Sequence, residues 1–258
     1  MPGILNVYAL PKLVEPEELL GGTAVVIDVL RSVTTIVHAL AAGAREVIPC
    51  AEVEQALRIA GRIAPGQVVL GGERGGLAVR GFDLGNSPED YTPDRLHGKT
   101  LVITTTNGTR AMAHAQTASR IFLGAFVNVS ALCEQLQGHR AIHILCAGTD
   151  GRFSDDDILL AGMLVDRLQR RDGLGHLLNA QAITAQEMWL HTFALPLALG
   201  AEKLEPERLA EALCDTPGGR NLAALGFDED ILAAARIDRF AIVPELDPLT
   251  FRIHGSIR

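Results

Sequence analysis

The sequence predicts an α/β protein with three α/β/α layers, a mostly parallel or mixed central sheet, and a C-terminal third rich in helices. Short β-rich runs alternate with helical stretches over the first two-thirds of the chain, an order typical of a sheet covered by helices on both faces. Beyond Ile158 the pattern is mainly helical. Hydrophobic residues make up 48% of the chain and aromatic residues only 4%, a composition that favours a compact α/β protein.

Seven β-rich runs predict strands in the first two-thirds of the chain: Ile4–Leu10, Ala24–Leu30, Glu46–Pro49, Gln67–Gly71, Thr100–Thr105, Arg120–Ala125 and Ala141–Cys146. Helical patterns between them predict four helices: Val33–Ala42, Val53–Ile63, Gly108–Ala115 and Ser130–Leu136. Four more predicted helices follow: Asp156–Arg170, Leu177–His191, Pro206–Cys214 and Glu229–Ala235. Two further strands are predicted after these helices, Phe240–Glu245 and Thr250–His254.

The 258 residues are enough for one large hydrophobic core or two small ones, and the sequence shows no repeat, low-complexity segment or long linker. We therefore predict a single domain over residues 1–258. If the chain subdivides, we expect the boundary near residue 155, between an α/β part (1–154) and a helix-rich part (155–258). The one long irregular stretch, Gly71–Pro93, contains Phe82, Leu84 and Tyr91, which predicts that it packs against the protein.

The formal net charge of −8 argues against nucleic acid as a partner, because a nucleic-acid surface requires a basic stripe. The sequence shows neither a signal peptide nor an apolar run of the ~20 residues that a membrane helix needs, so we expect a cytoplasmic protein without a membrane partner. Four dispersed cysteines without a CxxC pair predict reduced thiols. The Ala- and Leu-rich helices after Leu159 offer apolar faces on which two copies could form a homodimer.

Candidate functional residues follow the predicted strands, where ligands bind in open α/β sheets. Asp28 lies close to the end of the second β-rich run, and Arg31 lies three residues further on. A carboxylate and a guanidinium at such a junction could hold a metal ion and a phosphate oxygen respectively. The alternative is an Asp–Arg ion pair that caps the next helix.

The fourth strand leads into GGERGG, residues 71–76, where glycines on both sides of Glu73 and Arg74 would let a ligand approach the backbone closely. An ordinary glycine turn with a surface ion pair is the alternative. The sequence GFDLGNSP, residues 81–88, follows and places the carboxylate of Asp83 close in sequence to this pair. This second motif is also compatible with an Asx turn before the proline.

The sequence TTTNGTR, residues 104–110, follows the next strand and is rich in hydroxyl groups. The helix predicted after it would direct backbone N–H groups at a bound anion. We expect the anion site to contain Thr105, Thr106, Asn107, Gly108 and Thr109. Asn107 fits a purely structural role as the N-cap residue equally well. The sequence contains neither a nucleotide-binding P-loop nor a G-x-G-x-x-G fingerprint.

Cys146 and Arg152 have the C-x5-R spacing with which cysteine phosphatases wrap a phosphate around a thiolate. Three aspartates follow at residues 155–157, in the first turn of the next predicted helix. They would repel a phosphate dianion unless a cation lay between, so a divalent metal fits this segment better; the alternative is that they only cap the helix. A haloacid-dehalogenase mechanism is excluded because Leu30 stands where a second aspartate is needed, and the sequence has no G-x-S-x-G serine elbow.

These motifs occur with three others: DDILLAG at residues 156–162, GGRNLAALGFDEDI at 218–231 and IVPEL at 242–246. Together with DVLRSVTT (residues 28–35), GGERGG, GFDLGNSP, TTTNGTR and CAGTDGRFS, their order over nearly the whole chain resembles that of the 2-phosphosulfolactate phosphatase family. The resemblance implies an α/β/α phosphatase that depends on Mg²⁺. It would be a phosphoric monoester hydrolase that converts (2R)-2-phospho-3-sulfolactate into 3-sulfolactate and phosphate, a step of coenzyme M biosynthesis.

The residue chemistry and the resemblance lead to one hypothesis for the site. A heavily anionic phosphoester requires charge neutralisation and an aligned water molecule. Mg²⁺ would be held, directly or through water, by Asp28, Glu73 and Asp157. Arg31 and Arg74 would bind phosphoryl or sulfonate oxygens of this small anionic substrate, with further donors from the TTTNGTR turn.

The attacking water would be oriented by a carboxylate such as Asp83 or Asp156, with Asp28 as a further catalytic residue. Three alternatives remain open at this point. The nucleophile could be Cys146, with Arg152 as the phosphate clamp. The substrate could be a related anionic phosphoester, or the chain could be a non-catalytic protein that binds an anionic metabolite.

Overall fold

The computed structural model of the protein describes residues 2–171, 175–194 and 204–257. Within these ranges the chain forms one sheet of eleven strands. The strands are β1 (Gly3–Tyr8), β2 (Thr23–Ile27), β3 (Glu46–Cys50), β4 (Val68–Arg74), β5 (Leu77–Ala78), β6 (Thr100–Thr104), β7 (Arg120–Gly124), β8 (Ala141–Cys146), β9 (His176–Leu178), β10 (Ile242–Asp247) and β11 (Arg252–Ile257). Strands β2, β3 and β6 are buried along their whole length, as expected where helices cover both faces.

Ten α-helices accompany the sheet in the described ranges. They are α1 (Ser32–Ala41), α2 (Val53–Ala60), α3 (Pro93–Leu96), α4 (Gly108–His114), α5 (Val129–Gln135), α6 (Asp155–Arg171), α7 (Ala180–Trp189), α8 (Pro206–Cys214), α9 (Pro217–Ala224) and α10 (Asp228–Ala234). A π-helical turn, Leu190–Ala194, extends α7. None of these described helices is both long enough and apolar enough to cross a membrane.

The sheet consists of two parallel blocks joined by an antiparallel hairpin. Strands β4, β6 and β3 run parallel in one block, and β7, β2, β8, β1 and β9 run parallel in the other. The hairpin β10–β11 lies between the blocks and pairs antiparallel with β7 and with β3. The central sheet is therefore mixed, as the sequence predicts.

Strand β2 shows how helices cover both faces of the sheet, because its side chains point alternately to the two sides. Val25 and Ile27 pack in a core that includes residues of α5, α6 and α7. Ala24 and Val26 pack in a second core, which includes residues of α1 and α4. The helices α8 to α10 join the first of these cores. The predicted three-layer α/β/α architecture is thus confirmed.

The two strand blocks approach each other at their carboxyl ends. In a flat sheet β2 and β6 would lie about 24 Å apart, because four other strands separate them. The residues that follow these strands are nevertheless in contact. The hydroxyl oxygens of Ser32 and Thr105 are 3.2 Å apart, and Asp28 Oδ2 lies 2.7 Å from the position that a Cβ on Gly108 would take. Three antiparallel pairings separate the blocks, so their strands run in opposite directions and their carboxyl ends would lie at opposite edges of a flat sheet. The sheet is therefore strongly twisted and bent, and both blocks open onto one shared cleft.

The predicted helix Leu177–His191 differs from the structure at its start. Its first two residues belong to edge strand β9, which pairs with β1, and the helix begins at Ala180. The reason is local, because the side chain of Asn179 accepts a hydrogen bond from the backbone N–H of Ala182 (2.8 Å) and caps the helix. The pattern also fails to predict helix α9, whose two glycines lower its helix propensity.

The long irregular stretch Gly71–Pro93 is partly regular in the structure. Strand β4 extends to Arg74 and forms a short hairpin with β5. Leu84 and Tyr91 are buried, and Phe82 packs against a small core between α2, β3 and β6. The packing that its hydrophobic residues predict is therefore observed.

Gly162 lies where helix α6 contacts α7, and a Cβ here would lie 2.0 Å from the carbonyl oxygen of Ala185. Gly162→Ala therefore requires the two helices to separate, and we expect the free energy of unfolding to fall by about 1–3 kcal/mol in urea titrations. Gly61→Ala is the matched control. Gly61 has an ordinary φ of −64° and its nearest neighbour to a new Cβ is 3.4 Å away, so stability should change little. Equal losses for both variants would contradict this account of the helix contact.

His38 is buried on α1 against Phe240, with Arg239, Arg236 and Glu89 around it. Burial, followed by the charge of Arg239, lowers the pKa of its imidazole to about 4 from an ordinary 6.5. Between these values the unfolded chain binds a proton that the folded protein does not. The stability contributed by neutral His38 is complete above pH 6.5 and should fall by about 3 kcal/mol as the pH drops to 4.

The measurement is the free energy of unfolding at several pH values between 6.5 and 4, for the wild type and for His38→Gln. The variant should lose stability less steeply on acidification, because the titrating group is gone. Parallel curves for the two proteins would show that His38 takes up its proton in the folded state.

Candidate active site

A cleft opens at the carboxyl ends of both strand blocks and encloses about 530 Å³ of space continuous with solvent. The cleft is lined by residues that follow β2, β4, β6 and β8, by Asn86 and by one wall from α9: Asp28, Leu30, Arg31, Ser32, Glu73, Gly75, Gly76, Asn86, Thr105, Thr106, Asn107, Thr149, Asp150, Gly218, Asn221 and Leu222. Six residues predicted from the sequence are among them: Asp28, Arg31, Glu73, Thr105, Thr106 and Asn107.

Asp28 directly follows β2 and reaches the residues of the other strand block. Its Oδ1 accepts a hydrogen bond from the backbone N–H of Ser32 (3.2 Å), and its Oδ2 lies so close to Gly108 that no Cβ would fit there. Burial is the main reason why the pKa of Asp28 rises to about 7, and the negative charges of Asp156 and Glu73 raise it further. A carboxylate in these surroundings is one that a bound cation would stabilise.

Glu73 is held at the end of β4 by two backbone donors. Its Oε1 accepts a hydrogen bond from the N–H of Thr106 and its Oε2 from the N–H of Gly76, both at 2.8 Å. Gly72 permits this arrangement, since its φ is +140° and a Cβ would lie 2.0 Å from the carbonyl oxygen of Thr104. The side chain of Glu73 therefore joins the β4–β5 hairpin to the turn after β6.

Arg31 is the one cationic side chain that lines the cleft in the described part of the chain. Its Nη1 donates to Oδ2 of Asp230 (2.5 Å), and its Nη2 donates to the carbonyl oxygen of Gly76 (2.6 Å). The guanidinium carbon lies 4.6 Å from the ring centre of Phe227. Three contacts thus fix the guanidinium beside the cleft, where it can bind an anionic group.

The TTTNGTR turn differs from the predicted anion cradle. The Thr105 hydroxyl donates to Ser32 Oγ (3.2 Å) and joins the turn to the start of α1. The Thr109 hydroxyl donates to the carbonyl oxygen of Thr105 (2.8 Å) and stabilises the turn itself. Gly108 begins helix α4, but neither it nor Thr109 lines the cleft. Asn107 does not cap the helix with its side chain, because its Oδ1 instead accepts a hydrogen bond from the N–H of Asp150 (3.3 Å).

Two buried oxygen atoms of cleft residues have no hydrogen-bond partner among the described residues: Oδ1 of Asn86 and Oγ1 of Thr106. Asn86 is only 4% exposed and belongs to the motif GFDLGNSP. A buried polar atom left unpaired costs about 1–3 kcal/mol. Two such atoms on one cleft indicate that a bound ligand would complete their hydrogen bonding or coordination.

Arg74 and Asp83 do not line the cleft, and the sequence prediction is corrected for both. Arg74 follows Glu73 in β4, so its side chain points to the other face. Its Nη2 donates to the carbonyl oxygen of Ala51 (2.9 Å) and to the hydroxyl of Thr104 (2.8 Å). Asp83 is exposed and accepts a hydrogen bond from the N–H of Leu70 (2.8 Å), which covers part of the outer edge of β4.

Asp157 lies at the start of α6, buried beside the cleft but not lining it. Its two oxygens accept hydrogen bonds from the N–H groups of Val29 and Gly148, both at 2.9 Å, so it joins the loops after β2 and β8. The predicted metal set of Asp28, Glu73 and Asp157 is therefore not assembled around the cleft. In the ranges that the structure describes, no three His, Cys, Asp or Glu side chains group together to hold a metal ion.

Asp156 is also buried behind the cleft wall. Its carboxylate accepts a hydrogen bond from the Ser154 hydroxyl, and it lies 3.5 Å from the position of a Cβ on Gly218, which lines the cleft. Burial raises the pKa of Asp156 to about 6. Asp156 thus acts on the cleft mainly through its charge on Asp28, and the predicted direct contact with an attacking water is corrected.

Comparison with known protein families matches residues 8–248 to the family described as 2-phosphosulpholactate phosphatase. This chain belongs to that family. A probable 2-phosphosulfolactate phosphatase of Caldanaerobacter subterraneus subsp. tengcongensis is 35% identical over 243 residues, which cover 94% of this chain and 95% of that protein. A probable 2-phosphosulfolactate phosphatase of Thermotoga petrophila is 40% identical over 224 residues, covering 87% and 88% respectively. The family resemblance and the enzyme class, phosphoric monoester hydrolase, are confirmed.

The thiolate alternative does not fit the geometry of this member of the 2-phosphosulfolactate phosphatase family. Cys146 is the last residue of β8 and has no exposed surface. Burial raises the pKa of its thiol well above the ordinary value, and the charges of Asp157 and Asp156 raise it further. Arg152 is exposed and does not line the cleft. The two residues therefore form no phosphate cradle, because the thiol packs in the hydrophobic core.

The 2-phosphosulfolactate phosphatase cleft also contains polar residues that the sequence reasoning did not select: Ser32, Asn86, Thr149, Asp150 and Asn221. All of them lie within the motifs that carry the family resemblance, which was the available signal. The motifs alone do not reveal which of their side chains face the cleft, because that depends on the geometry of each turn.

Cys146→Ala should retain phosphatase turnover within about threefold of the wild type, because loss of a true nucleophile lowers turnover by several orders of magnitude. The measurement is phosphate release from 2-phosphosulfolactate under steady-state conditions. Cys133→Ala, which removes another buried thiol from the same core, is the control for the effect of a cavity. A collapse of turnover in Cys146→Ala alone, with its fold intact, would restore the thiolate mechanism.

Proposed function

We propose that this chain is a cytoplasmic, Mg²⁺-dependent phosphatase that hydrolyses (2R)-2-phospho-3-sulfolactate to 3-sulfolactate and phosphate, a step of coenzyme M biosynthesis. Its relatives are named probable 2-phosphosulfolactate phosphatases. The observation that carries the proposal is the composition of the cleft. Two buried carboxylates, Asp28 and Glu73, share one small cleft with the guanidinium of Arg31.

The balance of charges in the cleft supports a bound cation. The substrate carries a phosphate, a sulfonate and a carboxylate, whereas the cleft contains the carboxylates of Asp28, Glu73 and Asp150 against the single guanidinium of Arg31 in the described structure. Repulsion would keep such a substrate out unless a cation neutralised part of the negative charge. The same carboxylates argue against the alternative of a non-catalytic anion-binding protein, because they would only repel the anion that such a protein binds.

The atoms of the cleft fit Mg²⁺. This ion prefers oxygen ligands and usually takes one or two carboxylates, several waters and substrate phosphate oxygens. Asp28 and Glu73 would hold it, and the buried oxygens of Asn86 and Thr106 that lack a described partner offer further contacts. When bound, the ion would supply neutralisation of the phosphoryl charge and activation of water.

The side chains of the protein would bind and orient the substrate. Arg31 would donate to phosphoryl or sulfonate oxygens from its fixed position, and the Asn221 amide on α9 would donate to a second anionic group. In the reaction, the oxygen of water forms a bond to phosphorus while the bond from phosphorus to the C2 oxygen of sulfolactate breaks. The attacking water gives up one proton, the leaving oxygen takes one up, and phosphate and 3-sulfolactate are released.

Asp28→Asn and Glu73→Gln should each lower kcat/KM for 2-phosphosulfolactate by at least about 100-fold, because each removes a negative ligand of the ion. Phosphate release is measured with Mg²⁺, in excess EDTA, and after Mg²⁺ is restored. Activity should disappear in EDTA and return with Mg²⁺. Asp166→Asn, at a buried carboxylate on α6 paired with Arg170, is the control and should behave as the wild type.

The same assay, run over a panel of sulfonated and carboxylated phosphoesters, tests the substrate. The highest kcat/KM is expected for 2-phosphosulfolactate. Full activity in excess EDTA would exclude the proposed metal. A clear preference for another phosphoester would leave the hydrolase chemistry in place and replace the substrate.

A further inference from the structure

Asp230 is a buried carboxylate that contacts the cleft only through another side chain. It lies on α10 and is 4% exposed, and its Oδ2 accepts hydrogen bonds from Arg31 Nη1 (2.5 Å) and from the Ser87 hydroxyl (2.9 Å). We propose that Asp230 is a positioning residue, which holds the guanidinium of Arg31 in the orientation that binds the anionic substrate. The inference rests on the function proposed above, because it assigns Arg31 to substrate binding.

The first support is the geometry around Arg31. An arginine side chain has many rotamers and loses about 2 kcal/mol of conformational entropy when it is fixed. Here the guanidinium is bonded to Asp230 on one side and to the Gly76 carbonyl on another, and it stacks on Phe227, so its side chain is only 2% exposed. This entropy is lost on folding, and the group is therefore already oriented when a substrate arrives.

The second support is the charge environment of the cleft. Arg31 is the single guanidinium that lines the cleft in the described structure, beside the carboxylates of Asp28 and Glu73. A guanidinium released from Asp230 would be attracted to the cleft carboxylates Asp28 and Glu73. It would then compete with a cation for them and would no longer present its donors to the substrate. Asp230 prevents this by bonding Arg31 from outside the cleft.

The third support is that the buried ion pair of Arg31 and Asp230 is not explained by a contribution to the stability of the fold. Burial raises the pKa of Asp230 above its ordinary value despite the opposing effect of Arg31. A carboxyl group whose pKa rises on folding destabilises the folded state wherever it is ionised, which includes neutral pH. The pair is therefore better explained by its effect on the site than by a contribution to folding.

The same segment also forms a wall of the cleft. Gly218, Asn221 and Leu222 line the cleft from α9, and Phe227 and Asp230 contact Arg31 from behind. One stretch of the chain, residues 218–231, thus lines the cleft directly and also supports Arg31, the single cationic side chain that lines the cleft among the described residues.

The test is a double-mutant cycle with the wild type, Arg31→Ala, Asp230→Asn and the double variant. Two quantities are measured with Mg²⁺ present: kcat and KM for 2-phosphosulfolactate, and the Kd of inorganic phosphate by calorimetry. Asp230→Asn should lower kcat/KM and weaken phosphate binding by at least about tenfold, with most of the kinetic change in KM. In the Arg31→Ala background, Asp230→Asn should change kcat/KM and the phosphate Kd by less than about twofold, because the guanidinium that Asp230 positions is absent.

Asp166→Asn is the matched control, since Asp166 is a buried carboxylate (7% exposed) that also pairs with an arginine, outside the cleft. It should leave kcat, KM and the phosphate Kd unchanged. If Asp230→Asn fails to fold, Ser87→Ala replaces it, because it removes one donor from Asp230 and also the long hydrogen bond (3.5 Å) that Ser87 Oγ accepts from Arg31 Nη1. Ser87→Ala should then lower kcat/KM and phosphate affinity by about two- to fivefold, and it should have no effect in the Arg31→Ala background.

Equal losses from Asp230→Asn in both backgrounds, or no loss in either, would overturn the positioning role. If the wild type hydrolyses no phosphoester but phosphate binding still shows the non-additive pattern, the proposed enzyme activity fails and the positioning role stands. A wild type that neither hydrolyses the substrate nor binds phosphate would overturn both.

Discussion

The constraint on which the site depends is the burial of several carboxylates between the ends of β2 and β8. Burial raises the pKa of Asp28, Asp156 and Asp157, and repulsion among neighbouring carboxylates adds to the effect at each of them. Such groups are unfavourable unless donors or cations compensate them. At Asp157 the compensation comes from the backbone N–H groups of Val29 and Gly148, so the carboxylate also fixes the two loops that border the cleft.

The same requirement explains how the two strand blocks are held together. Glu73 accepts hydrogen bonds within its own block, from the turn after β6 and from the β4–β5 hairpin. The contact between the blocks is made by Asp28, which packs against Gly108 at the start of α4, and by Ser32 with Thr105. Carboxylates from both blocks therefore meet in one cleft that neither block could form alone. A cation at this point would relieve the repulsion and strengthen the contact between the blocks.

The C-terminal part of the chain completes this arrangement from outside the parallel blocks. The β10–β11 hairpin lies between the two blocks of the sheet, α9 forms one wall of the cleft, and α10 contacts Arg31 behind that wall. Arg31 is consequently supported by Asp230, a residue 199 positions further along the chain. The guanidinium of Arg31 and the C-terminal helices therefore form one structural unit. This explains physically why residues 218–231 form one of the motifs of the family.

The sequence by itself determined the α/β class, most of the elements and the rule that functional side chains follow the strands. That rule correctly places Asp28, Arg31 and Glu73 at the ends of their strands. It does not bring Asp28 and Glu73 together, because the two strand blocks run in opposite directions and only the twist and bend of the sheet unite their ends. Only the tertiary structure decided which residues face the cleft. Arg74, one residue from Glu73, points to the other face of the sheet, since a single step along a strand turns the side chain away, and Asp156 and Asp157 are buried behind the cleft wall. The bend of the sheet, the burial of Cys146 and the Asp230–Arg31 contact also lie beyond sequence patterns, because they depend on contacts between residues far apart in the chain.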